Sequence, residues 1–245
     1  MIENIVEIET IAGKMETFTA RPAAGSYPPV ILYMDAPGIR EELYEFARRI
    51  AGQGYFVLLP DMYYRSGRLR FDFATGGDAE RTHMFTAMTS LTNQLVMDDT
   101  KGMLEFLDAS PAAAPGPRGC IGYCMSGQYV VSAAGTFPDA FAAAASLYGV
   151  GIVTDKPDSP HLLAPRMKGE LYLGFAAKDQ WVPDNVIPDL KAALDTHKVP
   201  YRLDVWPGTE HGFCFPERAA YVETAAEDVW NLVFDLYQRR LHSSR

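Results

Sequence analysis

Apolar and polar residues alternate at the start of the chain and then give way to mostly apolar runs. Residues 3–9 (ENIVEIE) and 14–21 (KMETFTAR) alternate with a period of two around Ala12-Gly13, which predicts an antiparallel hairpin at a sheet edge. Later runs are strand-like, and apolar runs of this length are typical of strands covered on both faces. They are residues 30–34, 55–59, 140–147 and 170–176, followed by an alternating run at residues 201–206.

Helical periodicity occupies the segments between these runs. After Gly38 the apolar residues recur on one helical face, and residues 78–107 predict one long helix or two, with Asp98 or Asp99 as a candidate cap between them. Further helices are predicted at residues 128–134, 188–197 and 219–241. Strands that alternate with helices predict an α/β fold: a mostly parallel, doubly wound sheet with helices on both faces and the hairpin at its edge.

Composition and charge narrow the possible partners. The chain has 245 residues, 48% of them hydrophobic and 22% charged, which suits one large core, so we expect a single domain over residues 1–245. A net charge of −9 argues against a nucleic-acid surface. No apolar run approaches the roughly 18 residues that span a bilayer. We therefore expect neither nucleic-acid nor membrane partners, and either a monomer or a homodimer.

Three cysteines, Cys120, Cys124 and Cys214, form neither a disulfide framework nor a metal-binding spacing. Free thiols are most simply kept in a reducing compartment, so we expect a cytoplasmic protein, and the acidic N-terminus does not resemble a signal peptide. Cys120, inside an apolar run, is interpreted as a core residue, and Cys214 as structural.

The central feature of the sequence is residues 118–127 (RGCIGYCMSG). An apolar run beginning at Arg118 predicts a buried strand, which turns sharply between Gly122 and Gly127 into a helical segment. A reactive side chain between closely spaced glycines, where a strand becomes a helix, is the pattern of a nucleophile elbow, because the turn leaves no room for neighbouring β-carbons. The residue at its apex is Cys124.

Two more residues follow later strands. Asp179 comes directly after the strand predicted to end at Ala176, and His211 follows the strand predicted to end at Trp206. The order nucleophile, acid, histidine is that of α/β-hydrolases, in which each residue lies at a strand's carboxyl end. We expect Asp179 to orient the imidazole of His211, which would take the thiol proton of Cys124 and later activate water.

With these residues in place, the chain resembles the dienelactone hydrolase family of α/β-hydrolases, whose members use a cysteine nucleophile. The resemblance rests on residues 122–127 (GYCMSG), 178–183 (KDQWVP) and 210–213 (EHGF), supported by 39–41 (IRE), 53–55 (QGY) and 59–63 (LPDMY). It implies hydrolysis of an activated ester or lactone, of the dienelactone or enol-lactone type, through a cysteinyl thioester. It also implies a small-molecule substrate and no metal or organic cofactor.

The resemblance also suggests roles around the triad. The N–H groups of Met125 and Ala36 would form the oxyanion hole, and Asp35 would match a carboxylate that contacts the resting thiol. Family members that act on the anionic dienelactone place an arginine after the histidine, where Phe215 stands here with Arg218 further on; Arg81 matches the other substrate arginine. The remaining residues expected to bind substrate are Tyr123, Trp181, Phe213 and Phe215.

Several alternatives stay open at this point. The enzyme could be a carboxylesterase or thioesterase of broad acyl specificity, or the fold could serve a non-catalytic thiol-sensing or ligand-binding protein. Ser126 is the alternative nucleophile. Residues 62–77, rich in glycine and aromatic side chains, predict a functional excursion. The group Arg65, Arg68, Arg70 and Arg81 is interpreted either as scattered surface charge or as an anion-recognising rim.

Overall fold

The computed structural model of the chain describes residues 1–71 and 76–242. Contacts divide the chain into two compact units, Met1–Pro115 and Gly116–Arg245. Each unit contains, within the described residues, four strands with helices packed beside them. Of the predicted excursion, residues 72–75 lie outside the described part. The expectation of a single domain over residues 1–245 stays a prediction.

The first unit opens with the predicted hairpin, in which Thr10 faces Gly13 across the turn. Gly13 has a φ of 124°, a left-handed value that favours glycine. The second strand of the hairpin pairs antiparallel with the fourth strand of the chain. The fourth strand pairs parallel with the third. The spatial order within this unit is β1 (Ile2–Thr10), β2 (Gly13–Arg21), β4 (Phe56–Pro60) and β3 (Pro29–Tyr33).

Helix α1 (Glu41–Gly52) forms where the apolar periodicity predicts it. The helix buries one face, including Leu43, Phe46 and Ile50, and its opposite face carries charged residues. On that polar face Arg48 reaches Glu3 of β1, with Nε 3.0 Å from a carboxylate oxygen. The apolar stripe therefore fixes the packing face of the helix, while an exposed ion pair of this kind adds little stability.

The predicted helical stretch after the excursion is two helices, α2 (Gly77–Ser90) and α3 (Asn93–Ala109). The prediction that Asp98 or Asp99 caps the second helix is wrong. Thr92 is the cap, because its hydroxyl accepts the Leu95 N–H at 3.2 Å. Asp99 instead lies inside α3, where it is fully buried and forms an ion pair with Arg65.

In the second unit four strands run parallel, which brings their carboxyl ends to one edge. Their order is β5 (Arg118–Tyr123), β6 (Phe141–Leu147), β7 (Glu170–Lys178) and β8 (Tyr201–Glu210). The helices of this unit are α4 (Gly127–Thr136), α5 (Val186–Thr196) and α6 (Glu223–Leu241), with a 3-10 turn at Pro160–Arg166. No helix in the described part of the chain is long and apolar enough to cross a membrane.

Helix α6 covers the beginning of β5 with a fully buried apolar face. Its Tyr237 donates a hydrogen bond to the carbonyl of Cys120 at 3.0 Å, and its Leu241 would come within 2.9 Å of a β-carbon on Gly119. Glycine at 119 therefore permits the close approach. Cys120 is wholly buried, and burial raises the pKa of its thiol, in keeping with its interpretation as a core residue.

Candidate active site

The elbow forms at the end of β5. A 3-10 turn, Cys124–Ser126, joins the strand to α4, and Cys124 at its start has a φ of +54°. A non-glycine residue in this region is strained, and such strain collects at functional sites. Glycine is required nearby because a β-carbon on Gly122 would lie 2.8 Å from the Ser126 carbonyl oxygen. The predicted strand, turn and helix are therefore all present.

The environment of Cys124 suits a reactive thiol. Cys124 is half-buried, whereas Cys120 and Cys214 are buried. It lies in the turn just before α4, whose N-terminal dipole attracts negative charge. The turn that carries it is braced from behind, since the carbonyl of Cys124 accepts the Val150 N–H at 3.0 Å. The elbow is thus bonded to the turn after β6, and Cys124 stays partly exposed.

The acid and the base meet at the carboxyl ends of β7 and β8. The Nδ1 atom of His211 lies 2.7 Å from Oδ2 of Asp179, and the other carboxylate oxygen accepts the Trp181 N–H at 3.0 Å. Only 4% of the Asp179 side chain is exposed, so the carboxylate is held away from water and can fix the imidazole tautomer. The structure therefore brings the predicted acid and base together.

The protonation of His211 depends on both predicted partners. Burial alone would lower its pKa, but the hydrogen bond to Asp179 and the neighbouring Cys124 outweigh burial and raise the pKa to about 9. Because Nδ1 is occupied by Asp179, Nε2 is the atom available to the thiol. Within the described residues Nε2 is buried without a hydrogen-bond partner. These interactions favour the imidazolium form of His211 near neutral pH.

Three of the four aromatic residues predicted to bind substrate are fully buried around the histidine and the elbow, namely Tyr123, Phe213 and Phe215. The ring of Tyr123 contacts that of Phe215, with centroids 5.1 Å apart. The fourth, Trp181, is half exposed. Their roles toward substrate stay predictions. Trp181 lines a cavity of about 340 Å³ with Lys178, Asp179, Gln180, Glu210 and His211.

The predicted oxyanion donors lie in different units. Met125, buried, follows Cys124 in the elbow turn. Ala36 lies in a turn closed by the Gly38 N–H donating to the Asp35 carbonyl at 2.9 Å. The hydroxyl of Tyr63 donates to the carbonyl of Ala36 at 2.8 Å, so a buried side chain pins this turn. Whether these two residues bind an oxyanion stays a prediction.

Asp35 is fully buried and bound to a guanidinium within its own unit. Arg40 donates to it with one nitrogen at 2.5 Å and another at 3.3 Å, and the same Arg40 also reaches Glu42 at 2.7 Å. Burial alone would lower the pKa of Arg40, but these two carboxylates raise it. The contact of Asp35 with the thiol stays a prediction.

The four arginines of the possible anion-binding rim each lie near a carboxylate in the first unit. Arg65 makes two hydrogen bonds of 2.8 and 2.7 Å to Asp99, and Arg70 reaches Asp61 at 2.8 Å. The longer ion pairs are Arg68 with Glu16 at 3.5 Å and Arg81 with Asp78 at 3.9 Å. The pairings of Arg65 and Arg70 favour a structural role for these two.

Sequence reasoning missed three residues that support the site. The first is Tyr63, whose hydrogen bond to the Ala36 carbonyl has no signal in the local sequence. Tyr148 and Val150 follow β6 and contact His211 and Cys124 respectively. The sequence signal for Tyr148 and Val150 is Gly149 between them, two residues after the end of β6, a strand that runs parallel to β5.

A strained cysteine at a strand-to-helix turn, with an aspartate and a histidine following two later parallel strands, is the architecture of an α/β-hydrolase. The sequence model of the dienelactone hydrolase family matches residues 15–241. The chain belongs to this family, and the predicted fold class and family are confirmed. Membership makes it a hydrolase of carboxylic esters or lactones.

Known proteins resemble this chain over nearly its whole length. A Synechocystis sp. protein named "Putative carboxymethylenebutenolidase" is 28% identical over 91% of both chains. A Bradyrhizobium sp. protein named "Probable 2-oxo-3-(5-oxofuran-2-ylidene)propanoate lactonase" is 26% identical over 92% of this chain and 90% of its own. The crystal structure of a "Putative Dienelactone Hydrolase" from Klebsiella pneumoniae superposes with a TM-score of 0.85, covering 97% and 98% of the chains at 22% identity.

Proposed function

We propose that the protein hydrolyses activated esters or lactones of the enol-lactone type through a thioester on Cys124. The observation that carries this proposal is the 2.7 Å contact between Nδ1 of His211 and Asp179, together with the strained elbow at Cys124. Burial alone would lower the pKa of His211, but Asp179 and Cys124 raise it to about 9. A histidine coupled in this way to a carboxylate and to a strained thiol is what nucleophilic catalysis requires. The lactonase name of one relative supports a lactone substrate.

In the acylation step the Cys124 thiolate attacks the carbonyl carbon. The carbon–sulfur bond forms, and the π electrons of the carbonyl move to its oxygen, which the Met125 N–H would stabilise; the Ala36 N–H stays the predicted second donor. Collapse of this adduct breaks the bond to the leaving oxygen. That oxygen takes the proton from Nε2 of His211, so the imidazolium acts as the general acid.

In the deacylation step the sulfur carries no charge, because it is part of the thioester. The contribution of the thiolate to the pKa of His211 then disappears, while burial still lowers that pKa. The imidazole becomes neutral and can take a proton from water at Nε2, with Asp179 holding Nδ1–H. Water attacks the thioester carbonyl, and the thiolate leaves as the carboxylic acid product forms.

The chemistry of sulfur limits the substrate. A thiolate is a better leaving group than an alkoxide or an amine, so a tetrahedral adduct with a poor leaving group returns to the starting ester or amide. Enol and aryl esters and strained lactones escape this limit because their leaving oxygens are stabilised. We therefore expect turnover of activated esters and none of matched amides.

Phe215 supports a second candidate, a carboxylesterase of broad acyl specificity. A buried phenylalanine stands where relatives of anionic specificity are expected to carry an arginine, and its ring packs under the guanidinium of Arg218, 4.5 Å from the centroid. An apolar residue there suits neutral acyl groups. The two candidates differ in one measurable property, which is the response of kcat/KM to a carboxylate on the substrate.

The test is a panel of enol-lactones and aryl esters, each with and without a carboxylate, assayed with the wild-type protein and with Cys124→Ala and Ser126→Ala. We expect hydrolysis that Cys124→Ala abolishes and Ser126→Ala retains. Activity that survives Cys124→Ala would refute the thioester route. A preference for the carboxylated members would favour the dienelactone-type substrate over the broad esterase.

A further inference from the structure

Tyr148, the first residue after β6, has an unusual backbone. Its φ is +36°, in the left-handed region that bulky residues rarely enter. The strained residue is the tyrosine and not the glycine, Gly149, that follows it. Its N–H donates to the carbonyl of Gly174 in β7 at 2.6 Å. A strained conformation persists only where the surroundings hold it, and it commonly marks a functional position.

The side chain of Tyr148 packs directly on the catalytic histidine. The ring is fully buried, and its centroid lies 5.0 Å from that of His211 at an interplanar angle of 66°. The ring of Phe213 also packs on the Tyr148 ring, with centroids 5.4 Å apart. The ring of Tyr123 also packs on Tyr148, with centroids 5.9 Å apart. The ring is therefore fixed from several sides.

The following two residues brace the nucleophile. The Val150 N–H donates to the carbonyl of Cys124 at 3.0 Å. Gly149 lies so close to the elbow helix that a β-carbon on it would come within 2.8 Å of the Cα of Gly127. Three consecutive residues thus contact both the base and the support of the nucleophile.

We propose that residues 148–150 form a positioning segment that sets the relative placement of Cys124 and His211, with the Tyr148 ring fixing the plane of the imidazole. This inference rests on the proposed function of the triad. The left-handed backbone of Tyr148 is the means by which one short turn directs its side chain toward His211 and its next amides toward the elbow. A glycine at 148 would relieve the strain and lose the ring.

The test compares Tyr148→Phe, Tyr148→Ala and Tyr148→Gly with Tyr237→Ala, which empties a fully buried tyrosine site on α6 of the same unit. Three quantities are measured: the pKa of His211 from its ring NMR signals, assigned with His211→Gln; the rate of Cys124 alkylation by iodoacetamide against pH, corrected with Cys124→Ala; and kcat on an activated ester. Buried Cys120 and Cys214 leave Cys124 as the accessible thiol.

Without the ring the imidazole can turn away from Asp179 and Cys124, and the loss of these two contacts outweighs the relief of burial. We therefore expect Tyr148→Ala and Tyr148→Gly to lower the pKa of His211 by about one unit, to slow alkylation near neutral pH, and to reduce kcat by about 10- to 100-fold. Tyr148→Phe should keep wild-type values for all three, and Tyr237→Ala should keep the wild-type pKa and alkylation profile. Tyr148→Gly covers the case in which the strained alanine variant does not fold. A changed pKa of His211 in Tyr148→Phe would contradict the inference that the ring, and not the hydroxyl, fixes the imidazole.

Two results would overturn the inference. One is a wild-type pKa and alkylation profile in folded Tyr148→Ala or Tyr148→Gly, and the other is an equal change in Tyr237→Ala. Neither the pKa nor the alkylation rate depends on ester turnover. A wild-type protein without hydrolase activity would therefore refute the proposed function, while these two measurements would still decide the positioning role.

Discussion

The Cα atom of Gly149 occupies the place where a side chain on Gly127 would begin. A β-carbon on Gly127 would also come within 2.6 Å of the Ser146 hydroxyl oxygen. Because the obstacle is backbone, no side-chain rearrangement can remove it. The first residue of α4 must be glycine for the elbow to lie against the turn after β6, and the elbow in turn carries Cys124.

We predict that Gly127→Ala lowers the free energy of unfolding by about 1–3 kcal/mol, the usual cost of overpacking. We also expect it to reduce kcat/KM for ester hydrolysis under conditions in which the variant is still folded. Urea denaturation and kcat/KM measure the two effects. Gly52→Ala is the matched control, since a β-carbon there meets nothing within 4 Å and the backbone is not left-handed. Equal behaviour of the two variants would contradict the close approach.

The left-handed backbone of Cys124 predicts a separation of stability from activity. Both Cys124→Ala and Cys124→Gly should be inactive, but glycine relieves a strain of about 1–2 kcal/mol, partly offset by its larger unfolded-state entropy of about 0.5–1 kcal/mol. We expect Cys124→Gly to be the more stable variant by up to about 1.5 kcal/mol in urea denaturation. A less stable glycine variant would argue against strain at the elbow.

Asp179 holds two groups at once, His211 and the Trp181 N–H. Asp179→Asn can keep the bond to Trp181, but its amide would donate toward Nδ1 and impose the wrong imidazole tautomer. By analogy with other triads we expect kcat to fall by about 10³- to 10⁴-fold, with little change in KM. Asp184→Asn, on the exposed part of the same loop, should remain near wild type. A small effect of Asp179→Asn would remove the aspartate from the triad.

The raised pKa of His211 predicts a pH dependence with a definite sign. The folded state holds the proton more tightly than the unfolded state, whose histidine titrates near 6.5. The corresponding stability is fully present below about pH 6.5 and is lost as the pH rises through about 9. Acylation should also slow above pH 9, because the imidazolium that donates to the leaving oxygen is lost.

Unfolding free energies and kcat/KM, measured between pH 6.5 and pH 9, test both effects. In the control His211→Gln, the part of the pH dependence of stability that comes from His211 should disappear. Cys124→Ala should lower the pKa of His211, because it removes one of the groups that raise it. A stability that increases between pH 6.5 and pH 9 through His211 would contradict the predicted sign.

Local sequence signals sufficed for most elements and for the places in the fold where Cys124, Asp179 and His211 lie; the catalytic roles of these three residues stay predictions. The hairpin follows from alternation around Ala12-Gly13, and the elbow from the spacing of Gly122 and Gly127, because each is decided by neighbours within a few residues. The aspartate and histidine could be located because parallel strands place their carboxyl ends at one edge. Family and fold class followed from these residues and are confirmed.

What the sequence did not predict depends on partners far away along the chain. Asp99 looked like a helix cap, but Arg65, 34 positions earlier, binds it inside α3, and Thr92 is the cap. The contact of Tyr148 with His211 joins residues whose proximity appears only once β6 and β8 lie in one sheet. The backbone strain at Tyr148 has no signature in the residue type, because tyrosine rarely adopts it.

The central claim, an acyl group carried by Cys124, can be tested by intact-protein and peptide mass spectrometry after acid quench of the enzyme with an activated aryl ester. His211→Ala, in which deacylation lacks its general base, should accumulate the acyl mass on the peptide containing Cys124, and hydroxylamine should remove it as expected of a thioester. An acyl group found on Ser126 instead, or a burst of leaving group without acylation of Cys124, would contradict the proposed chemistry.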